Sequence, residues 1–140
     1  MSKYTAVVHK RPGVPMRWLH KKGLLKGRVL DYGCGRGFDA DYYGLCSFDP
    51  YWRPRQPRGT FDTITCHYVL NVVTLKVQEC IIERIRSLLR PNGKAYFTVR
   101  RDFKEDYEGK GCIQRLIYLP FKSIRKNSRL EMYEMEGEIR

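Results

Sequence analysis

Apolar residues along this chain follow two rhythms, a strand-like alternation and a helix-like spacing, and their order predicts a sheet with helices across it. Arg28-Val-Leu-Asp-Tyr32 is a short apolar run that breaks into glycines, the pattern of a buried parallel strand ending in a tight turn. Cys46-Ser-Phe-Asp49, stopped by Pro50, predicts a second strand, and Phe61-Asp-Thr-Ile-Thr-Cys-His67, with β-branched residues in alternation, a third. Pro15 to Lys22, closed by Gly23 ahead of the first strand, and Phe38 to Tyr43 after it predict short helices. A longer helix is predicted from Leu75 to Arg90, where Ile81, Ile82, Ile85, Leu88 and Leu89 fall on one face before Pro91-Asn92-Gly93. Lys94 to Arg100 follows as a strand. Beyond Arg101 the pattern weakens, and Arg115 to Leu119 and Arg129 to Met135 predict an antiparallel pair joined by a basic turn. The order gives an α/β fold, a mostly parallel sheet with right-handed crossovers and an antiparallel C-terminal edge.

With 140 residues the chain suits one domain: a basic arm and short helix over 1–28, a core over 28–100 and C-terminal strands over 101–140. No apolar run is long enough to cross a bilayer, and the opening segment lacks the apolar core of a secretory signal, so the expected location is cytoplasmic. Five cysteines, odd in number and without the close spacing of a zinc or disulfide framework, are expected as reduced thiols with no metal. Charge changes the picture more. Lys and Arg number 27 against 15 acids, a net charge of +12, and the first 28 residues hold eight basic side chains and no acidic one. Such a segment attracts polyanions, so nucleic acid is a candidate partner through the N-terminal arm and through Arg53, Arg55 and Arg58.

Candidate chemistry starts where the first strand ends. Asp31 is followed by Gly33, Gly35 and Gly37 and then a helix, so backbone can approach a small ligand closely. A dinucleotide-binding turn spaces its third glycine one residue later and meets a pyrophosphate, whereas an acid two positions before the first glycine suits a cation. S-adenosylmethionine carries an ammonium, a sulfonium and no phosphate, and Asp31 is placed to hold its amino acid end. Asp49, 18 residues on and at the end of the second strand, is placed to accept hydrogen bonds from the ribose hydroxyls. The competing reading is that both acids merely cap turns.

These residues resemble the class I S-adenosylmethionine-dependent methyltransferases of Rossmann-like fold, whose Asp-x-Gly-x-Gly-x-Gly motif is matched at Asp31, Gly33, Gly35 and Gly37. The resemblance implies a cofactor site of Asp31, Gly33, Cys34, Gly35, Gly37, Asp49, Pro50 and His67. The run from Phe61 to Asn71 is similar to the family's fourth motif, and Leu89 to Lys94 to the turn before its fifth strand. In wording, Asp-Tyr-Gly-Cys-Gly-Arg-Gly, Asp-Pro-Tyr and Tyr-Val-Leu-Asn-Val are similar to methyltransferases associated with DNA phosphorothioation systems. Only 12 residues, rich in proline, separate Asp49 from Asp62, too few for a helix, strand and helix, so the family's third strand and its flanking helices are expected to be missing. The second strand then becomes an edge, to be covered by the proline-rich loop, a nucleic acid or a second copy in a homodimer.

Methyl transfer needs an in-line acceptor and sometimes a base. His67 and Tyr68, at the carboxyl end of the third predicted strand, and Asn71 just beyond it are the catalytic candidates, with His67 as general base or as a packing residue. Neither an Asn/Asp-Pro-Pro-Tyr/Phe tetrad after that strand nor a cysteine nucleophile after proline is present, so standard adenine-amino and cytosine-C5 chemistries lack support. The expected activity is methyl transfer to a nucleic acid or an associated substrate. The alternatives are a small-molecule or protein acceptor, and a noncatalytic module that binds the cofactor or nucleic acid.

Overall fold

The computed structural model describes residues 10–109 and 111–138. Lys3 and the rest of the arm before Lys10 lie outside the described residues. The elements in chain order are α1 (Val14–Lys21), β1 (Val29–Tyr32), α2 (Phe38–Tyr43), β2 (Cys46–Phe48), β3 (Phe61–His67), a 3-10 turn (Leu70–Val72), α3 (Leu75–Leu88), β4 (Leu89–Arg100), β5 (Tyr107–Gly109), β6 (Cys112–Gln114), β7 (Lys122–Lys126) and β8 (Leu130–Glu136).

Six strands form one sheet in the order β2-β1-β3-β4-β8-β7, and β5 and β6 pair separately. β2, β1, β3 and β4 run parallel, while β8 is antiparallel to β4 and β7 to β8. The α/β class, the mostly parallel sheet and its antiparallel C-terminal edge are as the sequence predicts. No strand or helix intervenes between Phe48 and Phe61, so β1 itself separates β2 from β3, as expected if a strand and two helices are missing.

Strand alternation sends side chains to two different faces. Leu30, Ile64, Cys66, Ala95, Phe97 and Val99 face α3, whose Ile81, Ile85 and Leu88 complete the larger core. Residues on the opposite face are more polar: Asp31 sits beside Thr65, and His67 beside Thr98. There α1 covers Tyr96 and Met132 with Leu19, joined by Trp18, Leu24, Leu25 and Ile124. Ile85 is fully buried, and truncating it to Ala removes on the order of 2 to 5 kcal/mol of stability.

Three local expectations are corrected. The segment from Arg115 to Leu119 is not a strand; its Ile117 and Leu119 pack as irregular chain against the α3-side core. The expected basic turn is instead β7 itself, an edge strand whose lysines read as loop but suit an unpaired edge. The long helix ends at Leu88, and Pro91-Asn92-Gly93 belongs to β4, with Asn92 at φ 64° where the register against β3 shifts between Phe61 and Thr63. The long helix is started by Thr74, whose hydroxyl accepts from the Val77 amide at 3.3 Å. All five cysteines are free.

Candidate active site

β1 carries Asp31 to the carboxyl edge of the sheet, and the chain reverses through Gly33, Gly35 and Gly37, all left-handed with φ of 81°, 57° and 85°. The amides of Gly33 and Cys34 both donate to the Phe48 carbonyl, at 2.8 and 3.0 Å, and so tie the turn to the end of β2. Asp49 completes the tie. Its Oδ2 accepts from the Gly35 amide at 2.9 Å, and its Oδ1 from the amides of Tyr51 and Trp52 at 2.9 and 3.1 Å. A carboxylate has about four acceptor positions, so three amides leave Asp49 room for one further donor. Pro50 is exposed and opens the turn that brings Arg53 back to pair with Asp49 through reciprocal backbone bonds of 3.0 Å.

Arg53 folds inward over the glycine turn rather than out toward a partner. Its guanidinium donates to both oxygens of Asp41, at 2.7 and 2.6 Å, to the Arg36 carbonyl at 2.9 Å and to the Ser47 hydroxyl at 3.3 Å. It lies so close to Gly37 that a Cβ there would push the guanidinium aside, in addition to the strain of its positive φ. Arg36 in turn stacks on Trp52, 4.4 Å from the ring centroid. The proline-rich loop thus covers the edge strand partly with Arg53, while Arg55 and Arg58 remain exposed.

Asp31 is buried at 5% exposure, with its Oδ1 accepting from the Thr65 hydroxyl at 2.9 Å. Burial raises its carboxyl to about 7; the Thr65 hydrogen bond pulls the other way, and the charges of Asp39 and Asp49 push it further up. A desolvated carboxylate facing two more acids favours a cation and repels phosphate. These acceptor carboxylates therefore fit the ammonium of S-adenosylmethionine and disfavour a dinucleotide. Burial and the charges of Asp31 and Asp49 push the neighbouring Cys34 thiol up to about 12, so it stays protonated.

On the acceptor side, His67 lies one strand over from Asp31 and one row nearer the edge. Its Nδ1 hydrogen bonds with the Thr98 hydroxyl at 2.8 Å, and its Nε2 is shut off from solvent with no partner among the described residues. Burial, with no acid to offset it, lowers His67 to about 3, so the ring is neutral at physiological pH and a weak base. Tyr68 is 37% exposed and held left-handed at φ 58°, its amide bonded to the Thr98 carbonyl at 2.8 Å. Asn71 is tied to β6 and the residue after it. It is 1% exposed, donates to Gln114 at 2.8 Å and accepts the Arg115 amide on its own carbonyl, so it anchors the β5–β6 hairpin.

A family model described as a methyltransferase domain matches residues 7–130. The chain belongs to that family. With the glycine turn and the two acids, this makes it an S-adenosylmethionine-dependent methyltransferase of Rossmann-like fold. Solved structures agree on the fold. The 1,6-didemethyltoxoflavin-N1-methyltransferase of Burkholderia thailandensis, bound to 1,6-didemethyltoxoflavin and S-adenosylhomocysteine, matches with a TM-score of 0.64 at 17% identity, over 87% of this chain and 76% of that one. The N-methyltransferase NodS of Bradyrhizobium japonicum, with S-adenosylhomocysteine, matches with a TM-score of 0.59 at 12% identity, over 88% and 84%. Magnesium protoporphyrin IX methyltransferase of Synechocystis, with S-adenosylmethionine, matches with a TM-score of 0.53 at 15% identity, over 89% and 76%. No curated protein is similar enough in sequence to count as a relative. Among the described residues no helix of the methyltransferase is long and apolar enough to cross a membrane.

Sequence reasoning missed Thr65, Thr98 and the inward turn of Arg53. The first two carried a signal: parallel pairing of β1, β3 and β4 sets Thr65 beside Asp31 and Thr98 beside His67 once the register is known. Arg53 carried none, because an arginine among prolines reads equally as a surface charge.

Proposed function

We propose that this methyltransferase acts on a nucleic acid or a nucleic-acid-associated substrate. The supporting observation is a row of arginine and aromatic pairs along the carboxyl edge, the side of the glycine turn. Arg36 lies 4.4 Å from the Trp52 centroid and Arg125 5.2 Å from Trp18, while Arg100 and Arg101, already held by Asp102 and Glu131, brace Phe103 and Tyr118 at 5.3 and 4.3 Å. Tyr118 is 68% exposed and Trp52 39%. Rings that stack on bases, beside guanidinium groups that meet phosphates, are the recurring equipment for unpaired strands. The net charge of +12 and the wording shared with phosphorothioation-associated methyltransferases favour the same acceptor.

When bound, S-adenosylmethionine supplies an electrophilic methyl group on a sulfonium. Asp31 holds the ammonium end, Asp49 receives a ribose hydroxyl at its remaining acceptor position, and the Gly33–Gly37 turn lets both approach the backbone. His67 holds Thr98 and, through it, the edge from which Tyr68 projects toward the acceptor. A neutral nitrogen acceptor needs no strong base before attack, so a histidine of low basicity is compatible with this role.

Transfer of radiolabelled methyl from S-adenosylmethionine to single-stranded DNA, RNA, mononucleotides and neutral small molecules tests the proposal. Label in nucleic acid that declines steeply with salt is expected. Label confined to neutral small molecules would overturn it.

A further inference from the structure

Strand β7 contains one residue too many for its partner. Lys122 and Ser123 pair with Glu134 and Tyr133, but Arg125 and Lys126 pair with Met132 and Glu131, so the register shifts by one residue at Ile124. This is a β-bulge, and bulges beside active sites serve to re-aim side chains. Had the register run on unbroken, Ile124 would lie opposite Met132 and Arg125 opposite Glu131, a buried carboxylate, on the α3 face. With the bulge, Arg125 lies opposite Met132 on the α1 face, and both Ile124 and Met132 pack there with Trp18. The bulge thus takes a guanidinium away from an acid and brings it to a tryptophan.

Arg125 arrives there with an unmet donor. Its Cζ stands 5.2 Å from the Trp18 ring centroid, and one guanidinium nitrogen, Nη1, is buried with no hydrogen-bond partner among the described residues. An unmet buried N–H of a cation is costly unless something else satisfies it. Tyr68 is its electrostatic neighbour, held in the left-handed conformation that stores strain at functional positions. Arg100 and Asp102 also act on Tyr68, but Asp102 is bonded to Arg100 at 2.8 Å and so does not serve Arg125. Arg125 shares a row with Met132, Thr98 and His67 across four neighbouring strands. It stands about 14 Å from the His67 backbone, three strand spacings away.

From the bulge, the unmet N–H and the nearby rings, we infer that Arg125 receives an anionic oxygen group of the methyl acceptor, a phosphate on the nucleic-acid reading on which this inference rests. Trp18 braces the guanidinium, and Tyr68 lies within its electrostatic reach. The planar fork then holds two oxygens at once, which fixes how far the acceptor reaches back toward the cofactor.

The test uses the whole chain and two probes, a short single-stranded oligonucleotide and inorganic phosphate. R125Q is expected to bind the oligonucleotide about tenfold more weakly and with a salt slope smaller by about one, while its affinity for S-adenosylhomocysteine stays unchanged. R125K, which keeps the charge but loses the fork, recovers only part of the affinity. Equal oligonucleotide affinity and slope in R125Q and the parent overturns the inference. If R125Q does not fold, R125K decides alone, and parental affinity there overturns it. If the parent binds no oligonucleotide, the nucleic-acid reading fails, and phosphate is titrated against W52F, in which Trp18 is the only tryptophan. A Trp18 fluorescence change that R125Q abolishes then keeps the anion site, and no change overturns it as well.

Discussion

The Thr65 hydroxyl donates to Asp31 at 2.9 Å, yet this single hydrogen bond does not offset the carboxyl's burial, and Asp31 is raised from 3.8 to about 7. A folded-state value above the unfolded one contributes stability that is complete below about pH 4 and lost as pH rises toward 7. Above that, the ionised carboxylate is a cost that a bound cation relieves. Asp31→Asn is therefore expected to melt higher than the parent at pH 8, with the gap closing toward pH 4, while binding S-adenosylmethionine at least about tenfold more weakly. In the parent, cofactor affinity should rise with pH up to about 7 and then level off. Calorimetry across that range checks both, and a pH-independent affinity would remove Asp31 from the cofactor site.

His67 makes the opposite kind of prediction. With a value near 3, it does not titrate between pH 5 and 8, and the pH profile of kcat should show no histidine inflection there. His67→Asn, which can still reach Thr98, should keep most of the turnover, and His67→Ala should lose about tenfold through misplacement. An inflection near neutral pH that disappears in His67→Asn would show that the ring works as a base.

Gly37→Ala combines a left-handed backbone with a collision against Arg53. The φ of 85° alone costs about 1 to 2 kcal/mol in a non-glycine residue. Removing the obstacle should return part of the loss, so the double variant Gly37→Ala with Arg53→Ala is expected to be less destabilised than the two single effects added. Denaturant titration of the four proteins measures this coupling.

Arg101 and Glu131 form a buried ion pair at 2.9 Å, with side-chain exposures of 6% and 7%. Burial disfavours the Glu131 carboxylate, but hydrogen bonds from Ser123, Arg101 and Tyr133 outweigh it and hold Glu131 below its usual value. Its contribution is present above the ordinary glutamate range and lost as pH falls through it. Glu131→Gln leaves Arg101 uncompensated and is expected to cost about 3 kcal/mol, whereas replacing both with Met should restore much of it. Thermal melts at pH 7 and pH 4 check the direction.

Most of the core was legible in the sequence, because Leu30, Ile64 and Ile85 repeat at spacings that belong to one element type. That Asp31, Gly37 and Asp49 gather at one turn was legible, because glycines between two strand-end acids bring the strand ends together. The tie from Asn71 to Gln114 was not, since lying four residues past a strand end says nothing about what a side chain meets across the fold. β7 was missed because Lys122, Arg125 and Lys126 read as loop. Its bulge leaves no mark in sequence: only pairing against β8 shows that Arg125 has changed faces.

The direct passage from Phe48 to Phe61 has an engineering consequence. Pro54, Arg55, Gln56 and Arg58 are exposed and belong to no strand or helix, while Arg53 anchors the chain just ahead of them. New sequence inserted after Gln56 would lengthen a tethered loop, and each doubling of such a loop costs only about 0.6 kcal/mol. An affinity tag or a whole recognition module can therefore be grafted there without disturbing the sheet.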